Sequence, residues 1–302
     1  MISCECSGTG GVATTATASS CPLSRRFGAA AAGATKVVGA GMNRTSPPTE
    51  NTGPSIGLRG GRYRPLTSHQ VARIHHAALT ILRRTGISVD DPQVRQILED
   101  GGAYPNPDRT RLLFPESLVE DAVTWAPSEI FLAGRESKWD LHLGGTRVHV
   151  GTGGAVVNVV DLETDDSRPA LLRDVADLAR LVDALDHVQF YVIPVYPTDL
   201  VGADADIRTV FAAISNTTKH VQGGVHSVEG LRDAVELCRL VCGSAAAFWE
   251  RPVLSVVASW MISPLRFSTD VTQLLMACCR ERVPVVLSDA PMAGATAPVT
   301  LA

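Results

Sequence analysis

No uninterrupted apolar run in this sequence approaches the roughly 18 to 20 residues that a membrane helix needs. The formal net charge of −4, without a polybasic run or a lipid-anchor motif, leaves out the cationic footprint of a nucleic-acid binder. The seven cysteines form no disulfide framework. Cys4, Cys6 and Cys21 lie in a low-complexity leader with no zinc-knuckle spacing, and Cys238, Cys242, Cys278 and Cys279 lie in helix-like runs. A reducing, cytoplasmic setting follows. The sequence also has no GxSxG nucleophile elbow, so serine hydrolase chemistry has nothing to rest on. No HxH or CxxC spacing stands at a strand end, and no metal site is expected. GTGG at residues 151–154 is not GxGxxG and opens no helix, which argues against a dinucleotide fold. What remains is a soluble protein of small-molecule chemistry, with no nucleic acid and no membrane among its partners. Its 302 residues, 45% of them apolar, suffice for a large core.

Composition divides the chain in three. Residues 1–61 are Ala, Gly, Ser and Thr with scattered Pro and no periodic apolar residues, and are expected to be disordered. Their basic balance resembles a transit peptide, or they are a frame opened too far upstream, with Met42 as the real start. Residues 62–146 predict a helical region with short strands. Its first helix carries Val71, Ile74, Ala78, Ile81 and Leu82 on one face, with Thr67 or Ser68 as cap and Gly86 as stop. A second starts at Asp90 or Asp91 with Pro92, buries Val94, Ile97 and Leu98, and ends at Gly101 and Gly102. Pro115 opens a third, striped by Leu118, Val119, Ala122 and Val123. Strands are expected around the turn at Gly144 and Gly145.

From residue 147 the rhythm becomes strand, loop, helix. Strands are predicted at residues 148–160, 188–194, 220–225, 253–259 and 283–288, with four one-sided helices between them. The last two strands are apolar on successive residues, the pattern of a parallel sheet covered on both faces. Repeated βα units without a glycine-rich first turn favour a (β/α)8 TIM barrel in the α/β class. At about 31 residues per unit, eight units need about 250 residues, so residues 147–302 are expected to hold about five units of a truncated barrel.

Barrel enzymes place reactive groups just past the strands. Asp161 and Glu163 read as a solvated loop. Tyr196 and Asp199 follow the second strand and are candidates for substrate binding. Lys219 and His220 start the third strand and His226 ends it; both histidines are candidate catalytic groups, though a lone histidine can equally be structural. Trp260, after the fourth strand, could hold a cationic ligand on its π face or belong to the core. Asp289, after the fifth, is the leading catalytic candidate, because an acid behind a fully apolar strand is costly without a partner.

Four segments together carry a family resemblance: GTGGAVVNVVD (residues 151–161), SRPALLRDVADLARLVDALDHVQF (167–190), SNTTKHVQGG (215–224) and SDAPMAGATAPVTLA (288–302). The chain resembles the trimethylamine methyltransferase family of corrinoid-dependent enzymes from roughly Leu66 onward, most specifically in the last segment. The resemblance implies a (β/α)8 barrel that moves a methyl group from a methylated amine to the cobalt of a corrinoid carried by a separate small protein, with no tightly bound cofactor of its own. It also implies a homo-oligomer at full length. Some members place pyrrolysine in the barrel, and others act on quaternary amines such as glycine betaine; that position lies past Ala302. The segment ALLRD departs from the family pattern, which has Thr near the helix start, leaving Asp174 to assist the helix N-terminus.

The function expected is therefore methyl transfer from trimethylamine or a quaternary amine to a corrinoid protein. One alternative is an inactive or assembly-only fragment of such an enzyme; another is a metal-dependent barrel hydrolase using His226 and Asp289. An open arc of five parallel strands leaves a long unpaired edge, so the 302-residue chain should self-associate. A monomer in sedimentation that melts cooperatively in calorimetry would contradict this.

Overall fold

The computed structural model describes residues 57–61, 63–202 and 204–288, together with residues 294 and 299. The expectations for residues 1–56 and for Asp289 lie outside the described residues. Strand β1 (Leu58–Arg59) pairs antiparallel with residues 147–148, so this end of the expected disordered leader is ordered. Helix α1 (Ser68–Arg84) begins at a capping box in which Thr67 accepts from Gln70 N–H and Gln70 reaches back. Gly86, at φ +68°, turns the chain after it. Helix α2 (Pro92–Asp100) is capped by Asp91, whose carboxylate accepts from Val94 N–H at 2.9 Å. Strands β2 (Tyr104–Pro105) and β3 (Leu112–Leu113) pair, and α3 (Glu116–Trp125) follows.

The apolar face expected of α1 is mostly open. Leu79 is buried and Leu82 packs half-buried against the same core as Leu118 and Val119 of α3, while Val71 and Ile74 are 53% and 59% exposed and two polar contacts also join α1 to α3. Those contacts are His75 with Glu120 at 2.7 Å and Arg83 with Glu116 at 3.5 Å. Hairpin β4 (Glu129–Leu132) and β5 (Leu141–Gly144) encloses a 3-10 turn at Ser137–Trp139, and β6 (Arg147–Val148) follows.

The single strand expected over residues 148–160 is broken. Gly151 and Val156 each make an isolated parallel bridge, to Phe190 and Val195. β7 (Asn158–Val160) instead pairs antiparallel with β8 (Ser167–Pro169). A side chain at Gly151 would collide with the Phe190 ring, so glycine allows the backbone to lie flat on that ring.

Next come α4 (Leu172–Asp183), β9 (Phe190–Val192), α5 (Ala205–Ile214), β10 (His220–Gln222), α6 (Val228–Cys242) and a short α7 (Ala245–Glu250). The chain continues through β11 (Leu254–Ser259), the ribbon β12 (Met261–Ile262) and β13 (Arg266–Phe267), α8 (Thr269–Glu281) and β14 (Val285–Ser288). Strands β9, β10, β11 and β14 form one parallel sheet in chain order. From residue 188 onward the alternation of strands and helices is as expected, with α7 and the β12–β13 ribbon added. Alternation within the strands assigns the two faces. Tyr191, Ile193, Val221, Leu254, Val256 and Val285 are buried in one core with Val175, Val210, Leu231 and Leu274 of the covering helices. The opposite face was expected to be covered as well. It is buried toward the amino end at His220, Gln222 and Ser255, and among the described residues it opens toward the carboxyl end, half-buried at Val192, Val257 and Val286 and exposed at Ser259.

The amino end of this sheet is closed by residues 133–140. Ala133 N–H donates to Pro252 O, Glu136 N–H donates to Thr218 O, and Arg135 donates to the carbonyls of Ile214 and Thr217. Arg251 forks onto Asp140 at 2.7 and 2.8 Å. Trp139 lies 4.0 Å from the Nζ of the fully buried Lys219, which donates to Val182 O, Leu185 O and Val188 O at 2.6 to 2.7 Å. We expect Lys219→Met to lower the unfolding free energy by about 3 kcal/mol or more, since three carbonyls lose a charged donor. An unchanged midpoint in urea would show that this clamp is dispensable.

Candidate functional site

At the carboxyl end of the sheet the chain leaves a cavity of about 320 Å³, walled by Val192, Tyr196, Gly224, His226, Val257 and Ser259 among others. Gly223 and Gly224, at φ +95° and +77°, swing the chain out of β10 toward His226. Tyr196 is held by its N–H on Val156 O at 2.8 Å, beside the parallel bridge of Val156 to Val195. The rings of Tyr196 and His226 lie 5.3 Å apart at 49°.

Behind His226 stands Asp206, in the first turn of α5 and 9% exposed. Its Oδ1 accepts from His226 Nδ1 at 3.0 Å. Its Oδ2 accepts from the backbone N–H of His226 at 2.9 Å and from the N–H and hydroxyl of Ser227, both at 3.1 Å. Burial by itself would raise the Asp206 pKa, but the hydrogen bonds from the His226 ring and backbone and from Ser227 outweigh it and hold the carboxyl below its ordinary range. Ser227 also caps α6, accepting from Gly230 N–H at 2.9 Å. A Cβ at Gly230 would overlap the Asp206 carboxylate, so a glycine inside a helix marks where α5 and α6 meet.

Of the residues singled out from sequence, Tyr196 and His226 are brought together. The others go elsewhere. His220 is fully buried in the sheet, with Nδ1 on Ala133 O at 2.9 Å and Nε2 on Ser255 Oγ at 2.8 Å. A carbonyl can only accept, so Nδ1 carries the proton and the ring is neutral; burial lowers its pKa to about 4. Asp199 accepts from Leu172 N–H at 2.8 Å, which caps α4 from across the loop. Together with Asp174, which accepts from Leu171 N–H at 2.8 Å, it supplies the helix start that the ALLRD segment lacks. Trp260 stacks on Phe267 with ring centroids 4.4 Å apart and packs against the core of the N-terminal helical region. Asp289 lies outside the described residues. Asp206 was missed from sequence, and Gly230, expensive in a helix interior, was its one available signal.

Among the described residues no group of three or more His, Cys, Asp or Glu side chains gathers as metal ligands would. No helix among them is long and apolar enough to cross a membrane. Burial pushes the thiols of Cys238 and Cys278 up to about 12, which leaves them inert at neutral pH.

Comparison with known proteins adds to this geometry. Residues 38–302 match the family model described as Trimethylamine methyltransferase (MTTB). Trimethylamine methyltransferase MttB of Desulfitobacterium hafniense is 31% identical over 236 residues, covering 78% of this chain and 47% of its own length. The protein of the same name from Methanosarcina barkeri is 30% identical over 257 residues, covering 81% and 50%. Glycine betaine methyltransferase of Desulfitobacterium hafniense is 25% identical over 244 residues, covering 80% and 50%. The chain spans about half the length of the curated relatives it matches.

The contact of α5 with α6 is open to test. Gly230→Ala should destabilise the fold by about 1–3 kcal/mol, because four hydrogen bonds hold the Asp206 carboxylate where the new methyl group must go. Thermal melting equal to that of the parent chain would show that the two helices meet differently.

Proposed function

The chain belongs to the trimethylamine methyltransferase family, and from that premise we propose that it carries part of an enzyme transferring a methyl group from a small methylated amine to a corrinoid on a separate protein. Trimethylamine and a quaternary amine such as glycine betaine are the donors considered. On this reading the parallel sheet belongs to a (β/α)8 barrel, residues 62–146 form the helical region before it, and the cavity past the strands receives the amine.

The observation that carries the reading is the Tyr196 ring beside His226 on the wall of that cavity, with the Asp206 carboxylate behind the histidine. A methyl group leaves nitrogen readily only when the nitrogen is cationic, since the departing amine is then neutral. The protein must therefore hold a small cation, turn one methyl toward the acceptor and exclude water. A tyrosine ring attracts such a cation through its π face, and an ionised carboxylate close by offsets its charge. Asp289, next in sequence after β14, remains in the proposal as a further counter-charge. A cavity of about 320 Å³ has room for an amine of a few heavy atoms. When docked, the corrinoid supplies the nucleophile.

Tyr196→Leu in the complete protein should raise KM for the methylated amine about 3- to 30-fold, the worth of one cation–π contact, while Tyr196→Phe should stay near the parent value. Methylation of reduced cobalamin, followed by absorbance with trimethylamine or glycine betaine as donor, is the assay. Absence of transfer from both amines would sink the proposal.

A further inference from the structure

The contacts around Asp206 determine more than the position of His226. Among the described residues the four donors on its carboxylate come from His226 and Ser227, three of them on Oδ2 and the histidine Nδ1 on Oδ1. A carboxylate held in its ionised form can only accept, so Nδ1 carries a proton. In the neutral ring the lone pair then sits on Nε2. Among the described residues nothing is hydrogen-bonded to Nε2, and the ring lines the cavity beside Tyr196.

We propose that Asp206 is a positioning residue that fixes His226 in the Nδ1-protonated form, so that Nε2 offers the cavity a hydrogen-bond acceptor selecting a methylammonium that bears an N–H over a quaternary ammonium. This rests on the reading of the cavity as an amine site. A protonated tertiary amine satisfies both walls of the cavity at once, its methyl groups against Tyr196 and its N–H on His226. A quaternary ammonium has no N–H and leaves Nε2 facing methyl groups. The chemistry balances without a proton transfer. When the C–N bond breaks, its electron pair stays on nitrogen, the original N–H proton stays there too, and a neutral secondary amine departs. His226 thus orients the donor by its N–H and points the three methyl groups away from the ring.

Replacement of Asp206 by asparagine makes a test at constant volume. The position of Oδ2, which meets three donors, must be taken by the amide oxygen, so the amide NH2 faces Nδ1. Nδ1 then has to accept, the proton moves to Nε2, and the acceptor becomes a donor, as in the asparagine variant of a catalytic triad. The probes are trimethylammonium chloride and tetramethylammonium chloride, titrated into the full chain by calorimetry. The parent protein should bind trimethylammonium about tenfold more tightly or better, the range of a hydrogen bond to a charged group. D206N should lose that preference with little change in melting temperature, and the 15N shifts of the His226 ring should show the proton on Nε2. H226F, which keeps a ring and removes both nitrogens, should lose the preference as well. A preference that survives D206N would reflect size alone and would overturn the proposal. Equal binding of the two salts by the parent protein, or binding of neither, would overturn it too. A clear preference for trimethylammonium without methyl transfer to cobalamin would leave this inference standing and refute the broader function.

Discussion

The ammonium group of Lys219 sits in a fully enclosed position at the amino end of β10, and the arrangement of the sheet depends on it. Its three hydrogen bonds gather the carbonyls that end α4 and lead into β9, and its fourth side rests on Trp139. A buried cation without such partners would be prohibitively unfavourable; with them it joins three chain segments that are far apart in sequence. Asp183 closes the same region from the other side, accepting from Thr217 and from the N–H and hydroxyl of Thr218. The run of residues 217–220 is therefore a clasp, and its polar side chains hold architecture together instead of meeting a ligand.

Closing one end of the sheet leaves the other for chemistry. At the amino end, the segment of residues 133–140 takes up the loose carbonyls and amides through Arg135, Ala133 and Glu136, and Asp140 with Arg251 secures it. His220, Ser255 and Gln222 continue this polar packing within the sheet. At the carboxyl end the strands release their chain into glycine turns, and the side chains past them line a mainly apolar cavity in which Tyr196 and His226 are the aromatic polar groups. The amino end is thus the polar, closed end of the sheet, and the carboxyl end the open one.

Much of the local structure was legible from residue order. Thr67 and Asp91 cap the helices that follow them, as short polar side chains before an apolar stripe should. The parallel strands fall where apolar runs alternate with one-sided helices, and Tyr196 and His226 lie past strand ends as a barrel-like rhythm requires. The side chains that read differently share one cause, since each needed a neighbour that only folding brings into contact. Asp199 reads as a mouth acid until Leu172 N–H is found against it, and Trp260, left open between ligand platform and core, goes to the core through its stack on Phe267. The expected first strand divides because residues 158–160 pair with residues 167–169, while Gly151 keeps a bridge to Phe190, 39 positions away.

Periodicity and capping are properties of neighbouring residues, so the sequence by itself determined most of the helices, the later parallel strands, the family and two of the residues that wall the cavity. Which polar side chains are already satisfied, and which face empty space, is a property of pairs that only folding brings within 3 Å or so. The tertiary structure therefore decided that Lys219, His220 and Asp199 are structural partners. It also decided that Asp206, twenty residues before His226, controls which nitrogen that histidine turns to the cavity.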